Sequence, residues 1–145
     1  MQASLYAIVT LLHVTADLVF AAGLLAGLLV VSALAREPAE RLAKDRRLID
    51  GMRRWNRFVT GPALVLAWAL GLWLAHAAGW LGAGWLQWKL LLVLFVSALH
   101  GVLSVRLRRL AATPAIPPRP GIWVAVPLAI AAFAGIGWLA LVKPF

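Results

Sequence analysis

The segment WLQWKLLLVLFVSALHG, residues 85–101, has the length and composition of part of a membrane-spanning helix. A bilayer hydrocarbon core about 30 Å thick requires about 20 helical residues to cross it. Three more apolar segments of the chain are long enough, so we expect four spans, at residues 4–34, 58–78, 85–107 and 121–142. The sequence therefore predicts an all-α protein, a single transmembrane four-helix domain over residues 1–145.

Composition supports a membrane protein and excludes several kinds of site. Hydrophobic residues make up 63% of the chain and charged residues only 13%, whereas soluble domains are about 45–50% apolar. Cysteine is absent, which excludes disulfide frameworks, thiolate zinc sites and iron–sulfur clusters. The formal net charge is +9, but the basic residues occupy loops and helix ends, where they indicate topology and lipid headgroups rather than nucleic acid.

Positive charge marks one side of the predicted bundle. Basic residues concentrate in two connecting segments: Arg36, Arg41, Lys44, Arg46, Arg47, Arg53, Arg54 and Arg57 in the first, and Arg106, Arg108, Arg109 and Arg119 in the second. The positive-inside rule makes both segments cytoplasmic, so both termini are expected on the outer, periplasmic side of the cell inner membrane. Acidic residues at helical spacing within the first segment fit either a short amphipathic surface helix or a solvated connector.

Two spans carry ionisable residues that a lipid-facing helix would not tolerate. Lys89 and His100 are eleven positions apart in the third span, which puts them on one face, about 16 Å apart along the axis. His13 and Asp17, at i and i+4 in the first span, form a second polar stripe. A charge at a helix centre costs roughly 2.5–3.5 kcal/mol on insertion scales. Both stripes are therefore expected to face the bundle interior.

These residues predict a cofactor site. Neutral imidazole is a common axial ligand of haem iron, and helical bundles accommodate porphyrins, so His13 and His100 are the candidate ligands of a haem. The residues leave open whether both histidines bind one iron or one of them serves a substrate. Lys89 and Arg57 could hold carboxylates by charge pairing, and Asp17 could take protons. For Arg57 the alternative is contact with lipid headgroups.

Several stretches resemble the HemJ-type protoporphyrinogen oxidases, small haem-binding membrane proteins. They are LLHVTADLVFAAGLL (11–25), RFVTGPALVLAWALGLWL (57–74), WLQWKLLLVLFVSALHG followed by RLRRL (85–101, 106–110) and the terminal LVKPF (141–145). The resemblance implies a haem b protein that oxidises protoporphyrinogen IX to protoporphyrin IX and passes electrons to quinone. The resemblance also implies that His13 is a haem-associated histidine and that Arg57, Lys89 and His100 match functional residues of that family.

The chain departs from that pattern at two places. Gln87 stands where the family usually has a second histidine, and Val124, Ala125 and Val126 precede Pro127 where an Asn-Glu pair is usual. A non-catalytic haem protein of the same fold, or a structural or assembly subunit, is therefore the alternative. A CopD-like copper importer is disfavoured because the two methionines, Met1 and Met52, lie outside the spans. Whether the chain forms a homo-oligomer is left open.

Overall fold

The computed structural model describes residues 2–38, 41, 44–113 and 121–142. These residues form five α-helices, one π-helix and one 3-10 helix, and no strand occurs among them. In chain order the elements are α1 (Gln2–Leu34), α2 (Arg46–Trp55), the π-helix (Asn56–Thr60), α3 (Gly61–Ala77), α4 (Gly84–Ala112), the 3-10 helix (Ile122–Val124) and α5 (Ala125–Val142).

Four helical runs are long and apolar enough to cross a membrane: Ser4–Leu34, Arg46–Ala77, Gly84–Ala112 and Ile122–Val142. The protein is thus a multi-pass, all-α membrane bundle with the four expected spans. The second run begins twelve residues before the expected start at 58, because α2 continues through the π-helix into α3 without a loop. Residues 46–55 of the first connecting segment, which fitted either a surface helix or a solvated connector, are therefore helical and continuous with the second span.

Charge distinguishes the two ends of the bundle. The basic end carries the arginines of α2 and of the last turns of α4, and there α2 packs against α4 through the fully buried Ile49. The turn end is the short connection from Ala78 to Ala83 between α3 and α4, which contains no charged residue. Gly79 ends α3 there at a φ of 71°, a left-handed conformation that favours glycine. The segments 114–120 and 143–145, which include Arg119 and the terminal Lys-Pro-Phe, lie outside the described residues.

Helix α1 is the centre of the bundle, since it packs against α3, α4 and α5. Its buried face presents Leu24, Leu28 and Val31, all at 1% exposure or less. Gly23 and Gly27 lie on the same side, Gly23 against Thr60 of the π-helix and Gly27 against Leu103 of α4. This small-residue pair is therefore used in packing between helices of the same chain.

The outer surface of the helices is apolar. Leu11, Leu18 and Val65 are each about two-thirds exposed, which is expected where lipid replaces water as the solvent. Tryptophans lie near both ends of the spans, including the T-shaped pair Trp80 and Trp85 at 5.4 Å between ring centroids. This distribution matches the aromatic belts that anchor helices at membrane interfaces.

Candidate functional site

A cavity of about 50 Å³ lies in the half of the bundle nearer the turn end, between α1, α3 and α4. The backbones of α3 and α4 make few contacts with each other, although both pack against neighbouring helices. The polar side chains that line the cavity are His13, Asp17 and Lys89, and the walls between them are apolar or aromatic. The structure therefore brings together three of the five residues that the sequence singled out.

His13 and Asp17 form a pair on successive turns of α1. The His13 Nε2 atom lies 3.4 Å from Asp17 Oδ2, and the two side chains are 13% and 39% exposed. The other ring nitrogen, Nδ1, is buried and makes no well-formed hydrogen bond within the described residues, although the backbone of Ala67 lies beside the ring. An imidazole that donates one N–H to a carboxylate has a fixed tautomer and leaves the other nitrogen as a lone-pair donor.

A glycine of α3 makes room for the imidazole. A Cβ atom at Gly71 would lie 2.9 Å from His13 Cε1 and 3.4 Å from Nε2, so any larger residue would displace the ring. Gly71 and Trp68 both line the cavity, and their spacing of three residues puts them on one face of α3.

Lys89 enters the cavity from α4, about one and a half turns after its first residue, and is half-buried. It interacts electrostatically with both His13 and Asp17. The three side chains supply an imidazole, a carboxylate and an ammonium group around one small cavity. Such an intramembrane group is expensive unless its members stabilise one another, and it marks a functional site by default.

The donor set limits the metal chemistry that this cavity can support. Among the described residues no group of three or more His, Asp or Glu side chains is arranged to hold a metal ion. A porphyrin supplies four nitrogen ligands, so a single protein histidine suffices for haem iron.

His100 lies at a different level of the bundle. Its ring contacts Phe20 edge-on at 5.8 Å between centroids, and its Nε2 lies 3.8 Å from the position of a Cβ built at Gly61. Ten residues of α3 separate Gly61 from Gly71, the glycine beside His13, which corresponds to about 15 Å along the helix. The two histidines therefore do not converge on one iron in this structure, although His100 and Lys89 both face α1 and α3.

Arg57 is also separate from the cavity. Its side chain is exposed at the basic end, with the guanidinium 5.4 Å above the Phe58 ring. Arg57 lies within the π-helix, which has more residues per turn than an α-helix. The rotation that results leaves Arg57 on the outside, where contact with lipid headgroups is its direct interpretation.

Comparison with protein-family models, with curated proteins and with solved structures gave no match for this chain.

Proposed function

We propose that this protein is a haem b-binding membrane protein in which His13 is the iron ligand and Asp17 orients it. The observation that carries the proposal is the largely buried His13 ring, with Nε2 beside the Asp17 carboxylate and Nδ1 without a well-formed hydrogen bond among the described residues. A carboxylate that fixes the tautomer of a ligating histidine is the usual arrangement around protein-bound metals. Lys89 supplies the cation that would pair with a propionate. Haem, when bound, supplies the electron-transfer chemistry that no ordinary side chain provides.

The donor chemistry fits a haem, and the volume sets a condition on how it binds. A cavity of about 50 Å³ holds a few water molecules, whereas pockets for larger ligands measure roughly 300–1,000 Å³. Binding therefore requires α3 and α4 to separate. These two helices make few backbone contacts with each other, and the described side chains include a hydrogen bond across the gap from Trp68 to Ser97, at 3.2 Å.

We further propose that the substrate is a porphyrinogen, as the resemblance to HemJ-type oxidases implies. Oxidation of protoporphyrinogen IX to protoporphyrin IX removes six electrons and six protons, which three quinone molecules would accept as quinols. Lys89 would bind a substrate carboxylate, and Asp17 would hold protons in a site with little water. Arg57 and His100 have no part in this proposal, because neither lines the cavity.

The membrane setting follows the charge distribution. We propose that the protein lies in the cell inner membrane with its basic end in the cytoplasm and both termini outside, as the positive-inside rule requires. The His13 cavity would then lie in the periplasmic half of the bilayer.

A haem protein of this fold without oxidase activity is the second candidate. Gln87 is exposed on the outside of α4, so it does not replace the family's second histidine at the cavity. The described part of α5 contains no ionisable residue. Met52, expected outside the spans, lies in α2 within the second helical run. A copper carrier is still not favoured, since Met52 packs against the core rather than lining the cavity.

The test is the absorption spectrum of the protein purified in detergent from haem-replete cells. The parent protein should show a Soret band and a reduced α-band, and His13→Ala should lose both while keeping its elution volume on size exclusion. His76→Ala is the matched control, because His76 is exposed near the turn end and does not line the cavity. A colourless parent protein that remains folded would refute haem binding.

A separate assay decides between the oxidase and the non-catalytic haem protein. Membranes carrying the protein, from a strain without any other oxidase, are supplied with protoporphyrinogen and quinone. Protoporphyrin fluorescence that depends on the protein supports the oxidase. A haem-loaded protein without turnover supports the second candidate.

A further inference from the structure

The cavity beside His13 is closed at the turn end of the bundle. Ala75 and Leu86 line the cavity and are only 3% and 7% exposed. They belong to a small buried cluster with Trp85 of α4 and Leu139 of α5, against which Trp80 packs. These side chains form a roof that separates the cavity from the water beyond the turn end.

Side chains also close the cavity toward the basic end. Trp68 lines the cavity, and its Nε1 donates a hydrogen bond of 3.2 Å to Ser97 Oγ of α4. Beyond this bond, the buried Phe20 ring of α1 packs edge-on against His100. The space along the bundle axis is therefore filled in both directions.

The side of the cavity between α3 and α4 reaches the outer surface. These two helices make few backbone contacts with each other. Leu72 of α3 lines the cavity and yet is 44% exposed, so it lies at a rim. Leu90 of α4 lines the opposite wall and is partly buried. Helix α1 forms the back of the cavity, where the Asp17 side chain remains 39% exposed. The cavity thus has its mouth on the side of the bundle.

This mouth lies at the depth of one membrane leaflet. The lining comprises residues 67–75 of α3 and 86–93 of α4, which corresponds to roughly 3 to 15 Å from the ends of these helices at the turn. Trp73 and Trp88 are exposed, and each lies four residues from the same helix ends, as expected for the aromatic belt at the membrane interface. The mouth therefore begins at the belt and opens toward acyl chains rather than water.

The lining indicates which kind of molecule could enter from that leaflet. Lys89 follows Trp88 directly and so supplies a cation at the level of the belt. Deeper in the cavity, Leu90 and Val93 present an apolar wall. An amphiphile in a bilayer holds its polar group at the interface and its apolar part below it. An acidic group would therefore meet Lys89, since paired opposite charges form the stronger hydrogen bonds.

We propose that an acidic amphiphile dissolved in the bilayer enters this cavity sideways, between α3 and α4, with its acid group at Lys89 and its apolar part against Leu72, Leu90 and Val93. Entry widens the gap between the two helices, since the resting cavity is only about 50 Å³. Haem and porphyrinogens, apolar ring systems with propionate groups, belong to this class of molecule. The inference rests on the proposed function in that it concerns the same cavity, but its test needs neither haem nor turnover, so the two can fail separately.

The experiment uses three photoreactive probes with the full-length purified protein in phosphatidylcholine vesicles. Palmitic acid with a diazirine group dissolves in the bilayer and carries an acid. The matching hexadecanol has the same chain and diazirine without the acid, and a diazirine derivative of pentanoic acid has the acid but remains in water. Mass spectrometry after illumination identifies the labelled residues.

The palmitic acid probe should label Leu72, Leu90 and Val93 about tenfold more than the hexadecanol probe, because hydrogen bonds to charged groups are stronger than neutral ones. The pentanoic acid probe should leave these residues unlabelled, although it labels the exposed turn at Leu81. Val65 lies on the outer face of α3 at 69% exposure, so both bilayer probes should label it equally.

Two variants test the role of the cation. Lys89→Leu should make the palmitic acid and hexadecanol probes label the cavity equally. Arg57→Leu is the matched control, because Arg57 is an exposed cation at the basic end that does not line the cavity, and it should keep the preference for the acid. Equal labelling of Val65 in both variants shows that they are incorporated alike.

Three results would overturn the proposal. Palmitic acid labelling confined to Val65 and other outward residues would mean that the cavity has no entrance from the bilayer. Labelling of Leu90 and Val93 by the pentanoic acid probe would mean that the entrance faces water. A parent protein without a preference for the acid, or a preference that persists in Lys89→Leu, would mean that Lys89 does not bind the acid group.

Discussion

Gly71→Ala should disturb the site through the position of one imidazole. The new Cβ would lie 2.9 Å from His13 Cε1, a separation that real Cβ atoms essentially never show. Ordinary van der Waals contact begins near 3.4 Å, so the ring must move by roughly 0.5 Å, which is the tolerance within which functional side chains must be held. The ring sits between α3 and the Asp17 carboxylate, so the shift changes the 3.4 Å contact between His13 Nε2 and Asp17 Oδ2.

Haem content per chain and unfolding temperature in detergent measure this effect together. Because a misplacement of 1 Å can cost about 100-fold in function, we expect a displacement of half that size to weaken haem binding roughly tenfold. Gly101→Ala is the matched control: Gly101 is also helical, and nothing lies within 4 Å of its Cβ position. If Gly71→Ala and Gly101→Ala bind haem equally well, the assigned role of His13 is wrong.

Three other predictions concern packing, charge and topology. Gly23→Ala places a methyl group against Thr60 of the π-helix and should lower the free energy of unfolding by about 1–3 kcal/mol. Gly101→Ala should leave that free energy unchanged or raise it. Equal stability of the two variants in detergent denaturation would contradict the packing of α1. Lys89→Leu should insert as well as the parent or better, because it removes an intramembrane charge, yet should lose protoporphyrin formation; unchanged turnover would make the lysine a snorkelling residue. Reporter fusions near Lys44 and at Phe145 should give opposite signals, since three spans separate them. Matching signals would require an even number of spans between the two positions.

Hydropathy predicts the four spans because each is a continuous apolar run that must satisfy its backbone hydrogen bonds within a helix. It does not predict where the second helix begins. Residues 46–57 are rich in arginine, which looks like a loop by composition, but their charges lie on the exposed side of α2 while Ile49 packs inside. The helix therefore extends beyond the apolar segment at the basic end.

Part of the candidate site follows from periodicity and part does not. The i, i+4 spacing places His13 and Asp17 together, and helical phase places Lys89 and His100 on one face of α4. Which residue of α4 lies level with His13 depends on how far the helices are shifted along one another, which spacing within one helix cannot give. The π-helix also limits what helical periodicity can predict, because it rotates Arg57 away from the face on which a regular helix would place it.

The coordination of the haem iron tests the central claim most directly. Resonance Raman spectra of the reduced, purified protein should show a five-coordinate, high-spin iron bound by one histidine, because His100 lies about 15 Å along the bundle from His13. His100→Ala should leave that spectrum unchanged, and His13→Ala should abolish it. A low-spin, bis-histidine spectrum that disappears in both variants would contradict the account, as would haem that remains bound in His13→Ala.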